Sequence, residues 1–232
     1  MQRLDKFLSD AGVASRREVG VIIRAGRVSI NGTVVRKPDT KLNETADVVT
    51  VDGAPVRAGG FRYILLYKPL GYVCSTEDPR DPIVLELLGD AGKGLSPVGR
   101  LDKMTEGVLL LTDDGALNHS LTSPKKGVEK IYLATCDGTP DAEAAAAFEA
   151  GLTLRDGTVC RPAKLEVLEP GKVRVTVHEG KYHQVRRMLA AVGTPVQTLL
   201  RERFGPLTPD GLEPGQWRNL TNEEQLLLSH FL

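Results

Sequence analysis

The chain has 232 residues, of which 41% are hydrophobic and 26% are charged, with 30 lysines and arginines against 30 aspartates and glutamates. This composition excludes disordered, collagen-like and coiled-coil proteins, and it fits one or two folded domains. The uncharged apolar runs, such as 108–111, are far shorter than the roughly 20 residues that a membrane-spanning helix needs. The charged N-terminus has no secretory pattern and the three cysteines have no C-x-x-C spacing, so we expect a cytoplasmic protein without structural zinc.

The net charge of zero hides an uneven distribution of charge along the chain. Residues 1–41 contain nine basic and four acidic side chains, and residues 181–203 contain five basic and one acidic. Two acidic segments, 136–180 and 205–232, compensate with a net charge of −3 each. Because nucleic acids are bound by cationic surfaces rather than by a basic total, the two basic segments are candidates for contact with phosphates.

The start of the chain has a pattern typical of two helices followed by a β-hairpin. An apolar face within residues 4–11 predicts the first helix. Residues 15–18 read SRRE, a capping box that predicts the start of the second. The dipeptide Asn31-Gly32 stands between the strand-like segments 27–30 and 33–36, which is a strong hairpin signal.

Basic side chains outside the apolar positions of this segment predict a cationic surface. A solvated charged face is the common alternative, but only three carboxylates interrupt the basic residues before Asp39. We therefore expect a face that contacts RNA phosphates. Its members are Arg3, Lys6, Arg16, Arg17, Arg24, Arg27, Arg36 and Lys37.

The same segment resembles the S4-type RNA-binding domain. The similar motifs are RLDKFL at the start, SRREV at the second helix and GRVSINGTVV in the hairpin. The resemblance implies binding of structured RNA and by itself no chemistry. A linker rich in small residues, 53–60, follows, and it predicts an S4-type domain over 1–58 and a second domain over 59–232.

The second domain shows interleaved strands and helices without a regular βαβ order, which predicts an α+β fold with a mixed sheet. Apolar or alternating patterns predict strands over 61–67, 107–112, 128–135, 165–168 and 173–178. Helices are predicted over 83–88, from Pro140 to 150, over 182–192, and from the capping box at 221–224 to 230.

The tetrapeptide Arg-Leu-Asp-Lys occurs twice, at 3–6 and at 100–103, and context separates the copies. Asp5 lies near the start of a predicted helix, where a carboxylate is mildly stabilising. Asp102 lies between a turn-forming stretch, 97–99, and the predicted buried strand, where it can line a cleft. The alternative is a turn aspartate that bonds to its own backbone.

Several long motifs resemble the pseudouridine synthases, in the branch that acts on ribosomal RNA. The central motif is PVGRLDKMTEGVLLLTDDG around Asp102. LLYKPLGYVCSTEDPRDP precedes it, and HSLTSPKKGVEKIYL, EGKYHQVRRMLAAVG and LLRERFGPL follow it, in the order of that family. With the S4-type start they span nearly the whole chain. The resemblance implies a large mixed, mostly antiparallel sheet and an isomerase that breaks the N1–C1′ bond of a uridine and rejoins the base through C5, with no cofactor and no metal.

The resemblance also assigns roles to residues. Asp102 matches the catalytic aspartate, which can stabilise a cationic sugar, add to it covalently or assist proton removal; these routes stay open. Arg186 matches the basic residue that keeps this aspartate ionised, Tyr132 the tyrosine that stacks on the flipped base, and Leu199 an apolar residue that closes the pocket. The candidates for contact with substrate RNA are Lys68, Arg100, Lys130, Lys181, His183, Gln184, Arg187, Arg201 and Arg203.

One departure from the family pattern is Glu106, whose charge would raise the pKa of Asp102 unless its side chain turns away. The motifs YVCSTEDPRDP and LRERFG favour small-subunit ribosomal RNA as the target, free or in a partly assembled subunit, and we expect a monomer without membrane contact. One alternative is a large-subunit ribosomal RNA synthase of the same branch. Another is a non-catalytic S4-type assembly factor, which would not need Asp102, Tyr132 and Arg186 together.

Overall fold

A computed structural model describes residues 1–44, 46–56 and 59–232, which form two compact units, Met1–Phe61 and Arg62–Leu232. The predicted linker 53–60 and the predicted boundary between 58 and 59 include residues 57 and 58, which lie outside the described residues. No helix in the described parts of the chain is long and apolar enough to cross a membrane.

The described residues of the first unit form two helices and six short strands. In chain order they are β1 (Gln2–Arg3), α1 (Leu4–Asp10), α2 (Arg16–Arg24), β2 (Val28–Ile30), β3 (Thr33–Val35), β4 (Lys41–Leu42), β5 (Val49–Val51) and β6 (Ala54–Val56). Strands β3-β2-β5-β6 form an antiparallel sheet in that order, and β1 pairs with β4.

Local sequence signals account for the elements of this unit. The capping box is present, because the Ser15 side chain accepts from the Glu18 N–H and the Glu18 carboxylate accepts from the Ser15 N–H. Asn31 and Gly32 both have positive φ, as the predicted hairpin turn between β2 and β3 requires. Leu4, Phe7 and other buried side chains of α1 and α2 pack on the sheet and form the core of the unit.

The second unit is built around one large sheet. Its elements are β7 (Tyr63–Lys68), a 3₁₀ helix (Val84–Gly92), β8 (Ser96–Pro97), β9 (Glu106–Thr112), α3 (Gly115–Thr122), β10 (Lys130–Cys136), α4 (Ala142–Ala150), β11 (Lys164–Glu169), β12 (Lys172–Val177), α5 (Gln184–Ala191), β13 (Val196–Phe204), β14 (Trp217–Asn219) and α6 (Asn222–Ser229). The strand order is β11-β12-β10-β13-β9-β7-β14, with β8 beside β9. This confirms the predicted α+β class with a mixed, mostly antiparallel sheet.

Two antiparallel halves of this sheet meet at a short parallel joint between β9 and β13. Glu106 pairs with Leu200, and Gly107 pairs with Arg201. Gly107 has a φ of 113°, and a Cβ atom there would lie 2.3 Å from the carbonyl oxygen of Arg201. The two strands therefore approach this closely because residue 107 has no side chain.

Buried side chains on both faces of the sheet explain the apolar run of β9. Leu109 and Leu111 pack with the 3₁₀ helix on one face, while Val108 and Leu110 pack with α3 and α6 on the other. A third cluster fills the space between the β10–β13 half, α4 and α5. The sheet is thus anchored on both sides of the joint.

The sequence did not predict α3, β13 or β14, and two helix starts were placed too early. Helix α4 begins at Ala142 rather than at Pro140, because the Asp141 side chain caps it by accepting from the Ala144 N–H at 2.9 Å. Helix α5 begins at Gln184 rather than at residue 182. Its N-cap, His183, has left-handed φ and ψ of 46° and 35°, which excludes Tyr182 from the helix.

Candidate active site

A cavity of about 560 Å³ lies over the parallel joint, on the face of the sheet that carries the 3₁₀ helix. Strand register places Tyr132 opposite Arg201, and alternation puts Leu199 on the same face, so these side chains form its floor. Two segments form its walls, the loop 99–105 and the turn 179–185. The predicted site residues that line the cavity are Arg100, Asp102, Lys130, Tyr132, Lys181, His183, Gln184, Leu199 and Arg201.

The loop that carries Asp102 is fixed by hydrogen bonds from several segments. The Thr105 N–H donates to the Asp102 carbonyl, and the Gly71 N–H donates to the Lys103 carbonyl at 2.9 Å. The Leu101 N–H donates to the Cys74 thiol at 3.3 Å. The Asp102 side chain keeps 30% of its surface exposed, so its carboxylate is held in place and still open to the cavity.

Lys68, which the sequence predicted as a contact for substrate RNA, is fully buried below this loop. Its ammonium group donates to the carbonyl of Thr105 at 2.7 Å, to that of Pro69 at 3.0 Å and to that of Lys103 at 3.5 Å. Burial lowers its pKa, and the charges of Asp102 and Glu106 among others oppose this shift. Lys68 therefore holds the Asp102 loop from inside at Lys103 and Thr105.

The basic side chain nearest to Asp102 is His183 rather than Arg186. His183 Nε2 lies 3.4 Å from Asp102 Oδ1. Arg186 is half-buried, donates to the main-chain carbonyl of Met104 and does not line the cavity. Among the described residues, no ion pair within 4 Å joins Arg186 to Asp102.

The turn that presents His183 is held by two buried polar side chains, Glu179 and Gln184. The Gln184 amide donates to Glu179 at 2.9 Å and accepts from the Lys181 N–H at 3.0 Å. The Glu179 carboxylate also accepts from the Arg161 N–H and pairs with the Lys181 ammonium at 3.3 Å. Gln184 thus positions this wall of the cavity instead of extending towards RNA.

Aromatic and cationic groups share the remaining cavity surface. Tyr132 is half-buried on the floor, whereas Tyr182 is 74% exposed and stacks on the His183 ring with centroids 4.0 Å apart. Burial, together with the charge of Arg201, lowers the pKa of Lys130 to about 8. Arg201, a predicted contact for substrate RNA, is 2% exposed and lies in the floor of the cavity, so its contact with substrate stays a prediction.

The remaining predicted contacts lie near the mouth of the cavity or outside it. Arg100 is exposed and lines the cavity. Arg187 does not line it; its guanidinium pairs with Asp156. Glu106 pairs with Leu200 at the joint, which places it on the opposite face of the sheet from Arg201 and Tyr132. The side chain of Glu106 therefore turns away from Asp102.

The predicted cationic face of the first unit is exposed, as expected, but four of its side chains have acidic partners. Lys6 pairs with Asp10, and Arg27 pairs with Asp52. Arg3 and Arg16 both pair with the buried Asp5 and lower its pKa to about 2. Asp5 therefore links α1 to α2 and does more than complement a helix dipole. The other predicted members are also exposed: Arg17, Arg24, Arg36 and Lys37.

Comparison with known proteins identifies the chemistry that this cavity belongs to. Residues 62–191 match the family described as RNA pseudouridylate synthase, and residues 2–48 match the S4 domain. This chain belongs to the RNA pseudouridylate synthase family. The synthase match covers the Asp102 loop, β10 and the turn with His183, so it includes most of the residues that line the cavity.

Relatives of this pseudouridine synthase extend over almost its whole length. It is 47% identical over 226 residues to the Ribosomal small subunit pseudouridine synthase A of Yersinia pestis, with 96% of each chain covered. It is 45% identical to the protein of the same name from Escherichia coli (strain K12), with 96% of this chain and 97% of the relative covered. A solved pseudouridylate synthase covers 98% of the chain with 36% identity and a TM-score of 0.70.

The family match confirms the resemblance inferred from the motifs, whereas the roles of individual residues stay predictions. Sequence reasoning missed Glu179, Tyr182 and Cys74 as parts of the site, although all three stand inside the quoted motifs. An exposed tyrosine beside a cavity is visible only in the structure. No group of three or more His, Cys, Asp or Glu side chains that could hold a metal ion occurs among the described residues.

Proposed function

We propose that this pseudouridine synthase isomerises a uridine of small-subunit ribosomal RNA, with Asp102 as its catalytic carboxylate. The observation that carries the proposal is the Asp102 carboxylate, held on a rigid loop and exposed to a cavity whose floor is Tyr132 and Leu199. The target follows from the similarity to two enzymes named for the small subunit, over 96% of this chain.

The cavity supplies the groups that the reaction needs at the sugar and at the base. As the N1–C1′ bond breaks, the sugar carbon becomes electron-poor, and the Asp102 carboxylate beside it opposes that charge. Tyr132 offers an aromatic face on which a flipped uracil stacks while it turns. The base then rejoins the sugar through C5, C5 loses its proton, and N1 takes one up, so the product is an isomer of the substrate.

The resemblance assigned the support of the Asp102 carboxylate to Arg186 alone. We propose that His183 and Arg186 share this role. His183 Nε2 lies 3.4 Å from the Asp102 carboxylate, and we propose that it holds the carboxylate in place. Arg186 donates to the Met104 carbonyl two residues beyond Asp102, and in that way it ties α5 to the loop. We therefore propose a positioning role for Arg186.

RNA outside the cavity would be bound by exposed cations of both units. Arg100 lies at the mouth of the cavity, and Arg17, Arg24 and Lys37 lie on the S4-type unit. Such contacts position the substrate through its phosphates and carry no sequence information of their own. We propose that they orient the ribosomal RNA while the cavity selects the flipped base.

The test is release of tritium from RNA labelled at C5 of uridine, with transcripts of small-subunit and large-subunit ribosomal RNA as substrates. We expect release from the small-subunit transcript and a loss of at least about 10³-fold with Asp102→Asn, which keeps the side-chain volume but removes the charge. The matched control is Asp90→Asn, because Asp90 is exposed in the 3₁₀ helix, pairs with exposed Lys93 and does not line the cavity. Release only from the large-subunit transcript would overturn the target, and equal release by wild type and Asp102→Asn would overturn the catalytic assignment.

A further inference from the structure

Arg201 is a buried cation that leaves hydrogen-bonding capacity unused. Its Nε donates to the carbonyl of Val108 at 2.9 Å, and this hydrogen bond joins β13 to β9 across the parallel joint. Its Nη2 is buried and has no hydrogen-bond partner among the described residues, and within the same residues no carboxylate lies within 4 Å of the guanidinium. Because buried polar groups in proteins are nearly always paired, an unpaired donor of this kind indicates a partner that binds there.

The position of Arg201 shows where that partner would lie. It stands directly opposite Tyr132 on the floor of the cavity that contains Asp102. Its guanidinium carbon lies 4.9 Å from the centre of the Phe204 ring, so the flat group rests on a fixed aromatic surface. A base that stacks on Tyr132 would therefore have this guanidinium at its edge.

The surroundings of Arg201 favour an acceptor with negative charge. The neighbouring cavity cation, Lys130, also lies over Phe204, with its ammonium group 5.6 Å from the ring centre. Its pKa falls to about 8 through burial and the charge of Arg201, so the two positive groups repel each other. A negatively charged or strongly polarised oxygen bound between them would be stabilised.

The reaction produces such an acceptor. When the N1–C1′ bond breaks, its electron pair stays with the uracil, and the negative charge spreads over N1 and the two carbonyl oxygens. We propose that Arg201 donates through Nη2 to a carbonyl oxygen of the flipped uracil and stabilises this charge until C5 bonds to C1′ and N1 is protonated. The proposal rests on the proposed function. In it Arg201 stabilises the negative charge on the base, while Asp102 stabilises the positive charge on the sugar.

The experiment compares RNA that carries uridine with RNA that carries 5-fluorouridine at the target site. Fluorine withdraws electrons and stabilises the departing uracil anion, so cleavage of the fluorinated nucleotide depends less on a protein donor. The full-length variants are Arg201→Met and Arg201→Lys. Single-turnover loss of the original nucleoside, measured by chromatography after nuclease digestion, reports N1–C1′ cleavage for both RNAs.

With uridine RNA we expect Arg201→Met to lower the single-turnover rate constant at saturating enzyme by about 10² to 10³-fold, with a change in the half-saturating enzyme concentration below about 3-fold. With 5-fluorouridine RNA the loss should shrink by at least about 10-fold. Arg201→Lys keeps the charge but moves the donor, so it should show an intermediate loss with the same difference between the RNAs. The matched control is Arg174→Met, because Arg174 lies in the same sheet, pairs with Glu202 and does not line the cavity.

Two outcomes overturn the proposal. Equal losses on both RNAs would mean that Arg201 only supports the fold, and a loss confined to the half-saturating enzyme concentration would mean a phosphate contact. If Arg201→Met does not fold, as judged by its unfolding transition, Arg201→Lys alone supplies the comparison. A wrong target would be recognised separately, because wild type would release no tritium from the small-subunit transcript. The Arg201 variants would then be compared on the ribosomal transcript that wild type does modify.

Discussion

Gly107→Ala is expected to separate the two halves of the large sheet at their parallel joint. The new Cβ would lie 2.3 Å from the carbonyl oxygen of Arg201 and 2.7 Å from its nitrogen, whereas ordinary contacts begin at 3.4 Å. The φ of 113° adds strain for any L-residue, of about 1–3 kcal/mol. Overpacking of a fixed neighbour adds about 1–3 kcal/mol. We therefore expect the free energy of unfolding to fall by about 2–6 kcal/mol.

The joint also connects the Asp102 loop to the floor of the cavity, so activity should fall as well. Relieving the contact requires β9 and β13 to move apart by about 1 Å, and a misplacement of that size costs about 10²-fold in rate. The assays are urea unfolding of the full chain and tritium release under single turnover. The control is Gly157→Ala, where φ is 81° but a Cβ meets nothing within 4 Å. If both alanine variants lose the same stability, the close approach at the joint is not what requires glycine.

Three further variants test other parts of the structure. Lys68→Met should lower the free energy of unfolding by about 1–3 kcal/mol because it leaves buried carbonyls unpaired, and a melting temperature equal to that of wild type in a thermal scan would contradict this. RNA affinity should weaken as pH rises from 7 to 9, because the pKa of Lys130 is lowered to about 8 and its ammonium group loses its charge above that pH. In filter-binding titrations Lys130→Met should therefore show a flatter dependence of affinity on pH. Asp5→Asn should speed amide exchange in the first unit at pH 7, and since the pKa of Asp5 is lowered from 3.8 to about 2, the difference from wild type should vanish as pH falls through that range; a difference that persists at pH 2 would exclude the ion pairs as its cause.

Much of the fold could be predicted where local signals decide the backbone. The capping boxes at Ser15 and Thr221 and the turn at Asn31-Gly32 specify their elements through contacts three residues apart or less, and the structure has them all. Strand β13 was missed because Arg201 and Arg203 interrupt its apolar pattern. Inside the sheet Arg201 contacts the carbonyl of Val108 and the ring of Phe204, and the Val108 contact spans 93 positions of sequence.

The sequence predicted some of the residues that line the cavity and did not predict their arrangement. Asp102, Tyr132 and Leu199 were placed in one pocket through resemblance to a family, and they line one cavity. The sequence could not indicate that Lys68 is buried, because its partners are main-chain carbonyls up to 37 residues away. It also could not indicate that His183 rather than Arg186 faces Asp102, because one left-handed residue decides the direction of the chain there.

The distance in sequence between β9 and β13 has a consequence for how the enzyme is made. Gly107 is synthesised well before Arg201, its partner across the joint, and Asp102 earlier still. The cavity floor needs Leu199 and Arg201, so a chain emerging from the ribosome has no complete active site until the residues of β13 have left the exit tunnel. The residues of the S4-type unit emerge long before that point, so during synthesis the polypeptide carries its RNA-binding residues for many seconds before it can modify a base.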